Sequence, residues 1–386
     1  MDELRQHGTN GKTALDGLLV ADFSRVLAGP YATMLLADLG ADVVKVERPG
    51  AGDDTRHWGP PYAPTGEATY YLAVNRNKRS IALDLRDEQD LEVARALAAR
   101  ADVLVENFRP GTMDRLGLGY EELRALNPGL VYCSVTGFGS GEGAELPGYD
   151  LIAQAVGGLM SVTGEPGDGG TKAGVALVDV ITGLHATLGV LAALRHRDRT
   201  GEGQQVEVSL LSSLLSALAN QSSAYAAAGV VPEAMGNRHP SVVPYEVFQA
   251  SDRPIVIAAG NDRQFRALCT VLDRPGLAED PSYATNAGRV VARDRLVEEL
   301  NEALSARTAD EWFGLLSAAG VPCGPINDLA AAFALADDLG LEPAVEIDGV
   351  GQVANPLRLS ATPPIYRLRP PSLGQDEDWL RKLLDR

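Results

Sequence analysis

One carboxylate stands where an apolar run hands over to a helical pattern. In residues 171–190 (TKAGVALVDVITGLHATLGV), Val175–Val178 lead into Asp179. After it Val180, Ile181, Leu184, Leu188, Leu191 and Leu194 recur three and four apart, the period of an amphipathic helix. Asp179 therefore belongs at or near a helix N-terminus, where the macrodipole and unpaired backbone N–H groups favour negative charge. A carboxylate there can cap the helix, accept a proton as a base or attack a carbonyl as a nucleophile. Thr182, Ala186, Gly189 and Ala193 put small groups on another face, which a second helix can approach closely.

Cations gather near expected strand ends: Arg25, Arg48, Arg76, Lys78, Arg79, Arg109 and Arg115. In a chain of formal net charge −18, that grouping points to a polyanionic ligand, since a guanidinium fork donates two bonds at once to phosphate. The bland alternative is that part of the group only solvates the fold. Phe108, beside Asn107, either stacks on an adenine ring or plugs the core. His7, His57, His185, His196 and His239 show no metal-ligand spacing, and His185 reads as a packed structural residue. Cys133, Cys269 and Cys323 are odd in number and lack Cys-x-x-Cys, so neither a metal nor a disulfide framework is expected. There is no Gly-x-Ser-x-Gly elbow and no Walker motif.

The elements that must hold these residues are those of an α/β protein. The chain has 386 residues, 45% hydrophobic and 22% charged, the composition of a soluble globular protein with room for two or three domains. Its acidity argues against nucleic acid as a partner. No membrane span is expected. Residues 1–14 read as a flexible tail without a signal peptide's apolar centre, and a reducing cytoplasm fits the cysteines. Gly17–Phe23, Pro30–Leu39 and Asp42–Glu47 form a strand, a helix and a strand, the start of a Rossmann-like doubly wound parallel sheet. The turn between them (SRVLAGPYA) lacks the glycine fingerprint, so NAD is not expected. Glu106–Gly111 follows the strand at 102–105, at the sheet edge where such folds bind ligands. The domains expected are a large α/β domain over 15–228, a smaller α+β domain over 229–330 and a return to the large domain over 331–386.

Several stretches in this order resemble the class III CoA-transferase family (CaiB/BaiF type; formyl-CoA, carnitine and related transferases). They are Asp22–Pro30 (DFSRVLAGP), Leu39–Arg48 (LGADVVKVER), Asn75–Ser80, Val105–Phe108 (VENF), Pro147–Asp150 (PGYD), Asp179 with Gly183, and Arg199–Gln204. The resemblance implies an acyl-CoA substrate and a nucleophilic Asp179. The carboxylate takes the acyl group as an anhydride, then holds CoA as a thioester, then yields CoA to an acceptor acid. It also implies that Leu27 and Ala28 lie along the pantetheine and Arg48 near the phosphates. Leu83, Asn107 and Phe108 would surround the adenine, Arg115 would meet the nucleotide phosphates, and Arg25 and Arg109 are counted among the CoA-binding residues. Tyr149 and Asp150 would approach the thioester. Backbone N–H groups at Gly236 and Asn237 would stabilise the oxyanion from a closing loop. Two chains would interlock as rings in a homodimer.

The chain departs from that pattern in three places. Leu27 stands where formyl-type transferases carry Gln, the glycine run of their small-domain loop is missing, and Tyr149-Asp150 replaces the His-Asp pair of the related α-methylacyl-CoA racemases. A racemase needs a base on each face of the α-carbon, and a tyrosine of pKa about 10 serves poorly. The leading expectation is a CoA-transferase. Its alternatives are an acyl-CoA racemase or epimerase, a non-catalytic CoA-binding module, and a NAD dehydrogenase.

Overall fold

Six short strands set the architecture. Leu19–Asp22 (β1), Asp42–Glu47 (β2), Lys78–Ala82 (β3), Val103–Glu106 (β4), Val131–Thr136 (β5) and Gln205–Ser209 (β6) pair throughout in parallel, in the order β3-β2-β1-β4-β5-β6. Strands buried on both faces read as apolar runs rather than alternations, and β1, β2, β4 and β5 do so. The computed structural model describes residues 13–385. The tail expected over 1–14 therefore lies, up to residue 12, outside the described residues.

Alternate side chains feed two cores. Ala21, Val44, Ile81, Leu104 and Tyr132 pack with Leu97 of the helix Glu88–Arg100 and with Leu380 of the last helix, Glu377–Leu384. Val20, Val43, Val103, Val131 and Cys133 pack instead with the helices Ala28–Asp38 and Leu177–Thr200. The sheet is thus covered on both faces. β6 is an edge strand whose residues are half-buried or exposed.

The chain divides into two compact units. The first runs to Leu159 and takes in Ala173–Val230 and everything from Glu342; the second comprises Met160–Lys172 and Val231–Leu341. Residues 160–172, expected in the large domain, thus group with the second unit: Gly236 N–H donates to the Gly164 carbonyl at 2.8 Å and draws that loop to it. By itself the second unit is an antiparallel sheet of Tyr245–Gln249 (β7), Pro254–Ala258 (β8) and Cys323–Pro325 (β9). Phe248, Ile255, Leu268, Leu300 and Trp312 fill its core.

β3 begins with two cations, and Lys78 is fully buried in an ion pair with Asp22 at 3.1 Å. One expectation changes at this level. The helix Leu177–Thr200 is long and apolar enough by composition to cross a membrane, against the expectation that no segment would be. Its apolar content serves a packing role: Thr182, Gly183, Ala186, Val190 and Ala193 are buried in the first unit.

Candidate active site

Strand order reverses between β1 and β4, so the loops after them diverge and leave a crevice, the usual ligand site of open α/β sheets. Asn107 ties the two loops together. Its Oδ1 accepts the Arg25 N–H at 2.9 Å and its Nδ2 donates to the Arg25 carbonyl at 2.8 Å. A cavity of about 250 Å³ opens here, lined among others by Arg25, Leu27, Ala28, Asn107, Phe108, Arg109, Tyr149 and Asp179. Gly183 makes part of this geometry possible. A Cβ at that position would stand 2.7 Å from the Ala28 carbonyl oxygen, so a glycine lets the two helices cross close enough to bring Ala28 beside Asp179.

Asp179 is the third residue of its helix and does not cap it. The N-cap is Ala176, which has no capping side chain. Asp150 supplies the cap instead: its Oδ1 accepts the N–H groups of Val178 at 2.8 Å and Asp179 at 3.1 Å, and its Oδ2 accepts from Gln154 Nε2 at 2.6 Å. Asp179 is thereby spared for the cavity. Burial, reinforced by the negative charge of Asp150, pushes its carboxyl from 3.8 up to about 7, because both effects disfavour the ionised form. The carboxylate is more basic than an ordinary aspartate and still substantially ionised near neutrality.

Tyr70 joins this site without any signal in the sequence. Like Ala176 and Val180, it packs against the cluster of Leu27, Met34 and Val74, and it meets Trp58 edge-on at 5.2 Å. Burial, with the charges of Asp179 and Asp150, pushes its hydroxyl up to about 12, which keeps it a neutral hydrogen-bonding group. The stretch before it is rich in Gly and Pro and has no period, so only the fold brings this ring to the nucleophile.

A second cavity of about 270 Å³ adjoins the first. Phe23, Leu83, Leu85, Phe108 and Leu116 give it apolar walls, with Arg25, Arg48 and Arg86 also lining it. Arg25 and Phe108 belong to both cavities, and the Arg25 guanidinium lies 5.4 Å over the Phe108 ring. Apolar walls beside guanidinium groups suit a planar heterocycle with phosphates attached.

The CoA-transferase family III model matches residues 15–377. This chain belongs to CoA-transferase family III. It is 42% identical over 376 residues to the human succinyl-CoA:glutarate CoA-transferase, covering 96% of this chain and 86% of that protein. It is 42% identical over 374 residues to the acetyl-CoA:oxalate CoA-transferase of Acetobacter aceti, covering 96% of each. A CaiB/BaiF family protein of Brucella suis has a solved structure that superposes with a TM-score of 0.87 at 43% identity, over 97% of this chain and 100% of that one.

Several expected roles change once this family III chain is seen folded. Arg76 and Lys78 are not available to phosphate: Arg76 pairs with Asp38 at 2.7 Å and Lys78 with Asp22, all four buried. Arg79 pairs with Asp376 at 3.5 Å and stacks on Trp379 at 4.3 Å. The amide of Asn107 is occupied by the Arg25 backbone, so it holds the loop rather than offering itself to an adenine. Arg48 pairs with Asp54 at 2.9 Å, and Arg115 donates to the Thr112 hydroxyl at 3.0 Å, one turn from the second cavity. Asp150, expected at the thioester, acts on Asp179 through the helix end. Gly236 and Asn237 lie in the second unit. The Gly236 N–H is already given to Gly164, which removes it as an oxyanion donor in this conformation. His185 lines a separate, open depression with Leu188 and β6, away from Asp179. Among the described residues no His, Cys, Asp and Glu group has the arrangement of a metal site.

Proposed function

We propose that this chain moves CoA between dicarboxylic acids, with a short dicarboxylic thioester such as succinyl-CoA as donor, through covalent intermediates on Asp179. The observation that carries the reading is the Asp179 carboxylate: relieved of capping by Asp150, drawn toward neutrality, and lining a cavity that shares Arg25 and Phe108 with an apolar, Arg-lined neighbour. The acceptor acids named for the human and Acetobacter enzymes, glutarate and oxalate, support the dicarboxylate class.

In this reading an Asp179 oxygen attacks the thioester carbonyl, the C–S bond breaks and an aspartyl acyl anhydride forms beside CoA thiolate. The thiolate attacks the Asp179 carbonyl carbon, the anhydride C–O bond breaks and the donor acid leaves. The acceptor carboxylate then attacks the aspartyl-CoA thioester and releases thiolate again. That thiolate attacks the acceptor's carbonyl, forms the new acyl-CoA and frees Asp179. A carboxylate nucleophile divides the exchange into steps of similar energy, and each needs water kept from the anhydride. No step calls for a metal or a nicotinamide. We extend the proposal to a homodimer acting in the cytoplasm. Support for the dimer comes from Leu184 and Leu188, 47% and 66% exposed on the central helix, beside the open edge of β6, since apolar helix faces and bare edges call for cover.

Mass spectrometry after incubation with succinyl-CoA, glutaryl-CoA or acetyl-CoA tests the mechanism. The expected result is a hydroxylamine-sensitive adduct on the peptide carrying Asp179. Full exchange activity in Asp179→Ala sinks the reading. Exchange with monocarboxylic acids alone sinks its dicarboxylate part.

A further inference from the structure

Val26 has a φ of +70°, where a β-branched residue is a genuine outlier. Such a pose persists only when its surroundings over-determine it. Here they do. The Val26 N–H donates to both carboxylate oxygens of Asp53, at 3.2 and 3.4 Å. The preceding residue, Arg25, is fastened at both N and O by Asn107, and the helix Ala28–Asp38 begins two residues later.

The Asp53 side chain lies 2.8 Å from Lys45 Nζ, and neither side chain has exposed surface. Lys45 Nζ also donates to the Ser24 carbonyl at 2.9 Å. Asp53 further accepts the N–H and hydroxyl of Thr55. A buried ion pair rarely stabilises a fold more than an apolar pair of the same volume. A strained backbone pose and a buried ion pair thus converge on one peptide, and the next two residues, Leu27 and Ala28, line the cavity that Asp179 also lines.

We propose that Asp53, paired with Lys45, is a positioning residue for the CoA thioester: it holds Val26 in its left-handed pose and thereby keeps Leu27 and Ala28 against the Asp179 cavity. Both residues border the second cavity, yet neither side chain has exposed surface, so their effect passes through the loop. The proposal rests on the CoA-transferase reading of that cavity.

Two double variants test it. Lys45→Met with Asp53→Asn removes both charges but keeps an oxygen for Val26; Lys45→Met with Asp53→Ala removes the oxygen too. KM for succinyl-CoA in exchange and Kd for CoA by calorimetry are measured for each, with kcat and Tm. In the Asn pair both constants stay within about twofold of wild type. In the Ala pair both rise about tenfold, the size of one lost charge-assisted hydrogen bond, while kcat changes less than about threefold. An Ala pair with wild-type KM and Kd overturns the proposal. So do two pairs impaired equally, since the oxygen then carries no information. If the Ala pair does not fold, Asp53→Glu takes its place, keeping the ion pair while shifting the acceptor by one methylene; an unchanged KM there overturns it as well. The CoA titration uses no acceptor acid, so a wrong choice of acids leaves that arm intact.

Discussion

Asp179→Asn is expected to abolish exchange and to make the protein more stable above neutral pH. Asn has nearly the shape of Asp and no charge, so it removes what burial and Asp150 oppose. The carboxyl moves from 3.8 to about 7 on folding, roughly three units, or about 4 kcal/mol at 1.36 kcal/mol per unit. Residual solvent screening at a half-buried site brings this to about 2 kcal/mol. The sign follows from proton linkage. A carboxyl raised on folding binds its proton more tightly in the folded state. The stability associated with that proton is fully present below pH 4, is lost as pH rises to about 7, and stays lost above it. The Asn variant escapes the loss. Its Tm should match wild type at pH 4 and exceed it by about 4 °C at pH 8, as read by scanning calorimetry beside an exchange assay. Equal Tm values at pH 8, or an increase of the same size at every pH, refute the reasoning.

The same electrostatics predict that kcat/KM for the acyl-CoA rises with pH through a midpoint near 7, since the nucleophile must be ionised. Asp150→Asn keeps an acceptor for the helix N–H groups and lowers that midpoint; a pH–rate profile that does not move contradicts the assignment. Phe108→Ala takes away a wall of both cavities and the Arg25 stack, and should raise KM for acyl-CoA about tenfold with kcat within about threefold. An unaltered KM removes Phe108 from the CoA site. Gly183→Val forces its side chain into the Ala28 carbonyl and should destabilise by about 2 kcal/mol; thermal denaturation at the wild-type temperature argues against the close crossing.

Much of this protein was legible in local pattern. The strand–helix–strand start at 17–47, the missing glycine fingerprint and the apolar run that opens β4 depend on neighbours a few residues apart, and such features survive in a one-dimensional reading. So did the placement of Asp179 near a helix start, because an apolar period of three and four begins just after it. The resemblance gave Leu27 and Ala28 to the pantetheine, Asn107 and Phe108 to the adenine and Tyr149 to the thioester; in the fold these five line one cavity with Asp179.

Tertiary structure decided the division of labour among like residues. Arg48 and Arg76 are the same letter, yet one lines a cavity and the other is buried against Asp38, 38 positions away in sequence. Asp150 and Asp179 are both acids at helix starts. One became the cap of the other's helix because its loop folds back across 29 residues, and that single arrangement both releases Asp179 and raises its pKa. Tyr70 and the Lys45–Asp53 pair carried no sequence signal because their significance lies in what surrounds them. Composition and period determine which segments become strands and helices, since those depend on nearby side chains. The charge state of a carboxylate and the pose of a strained peptide depend on desolvation and on partners distant in the chain, and these exist only once the sheet has assembled.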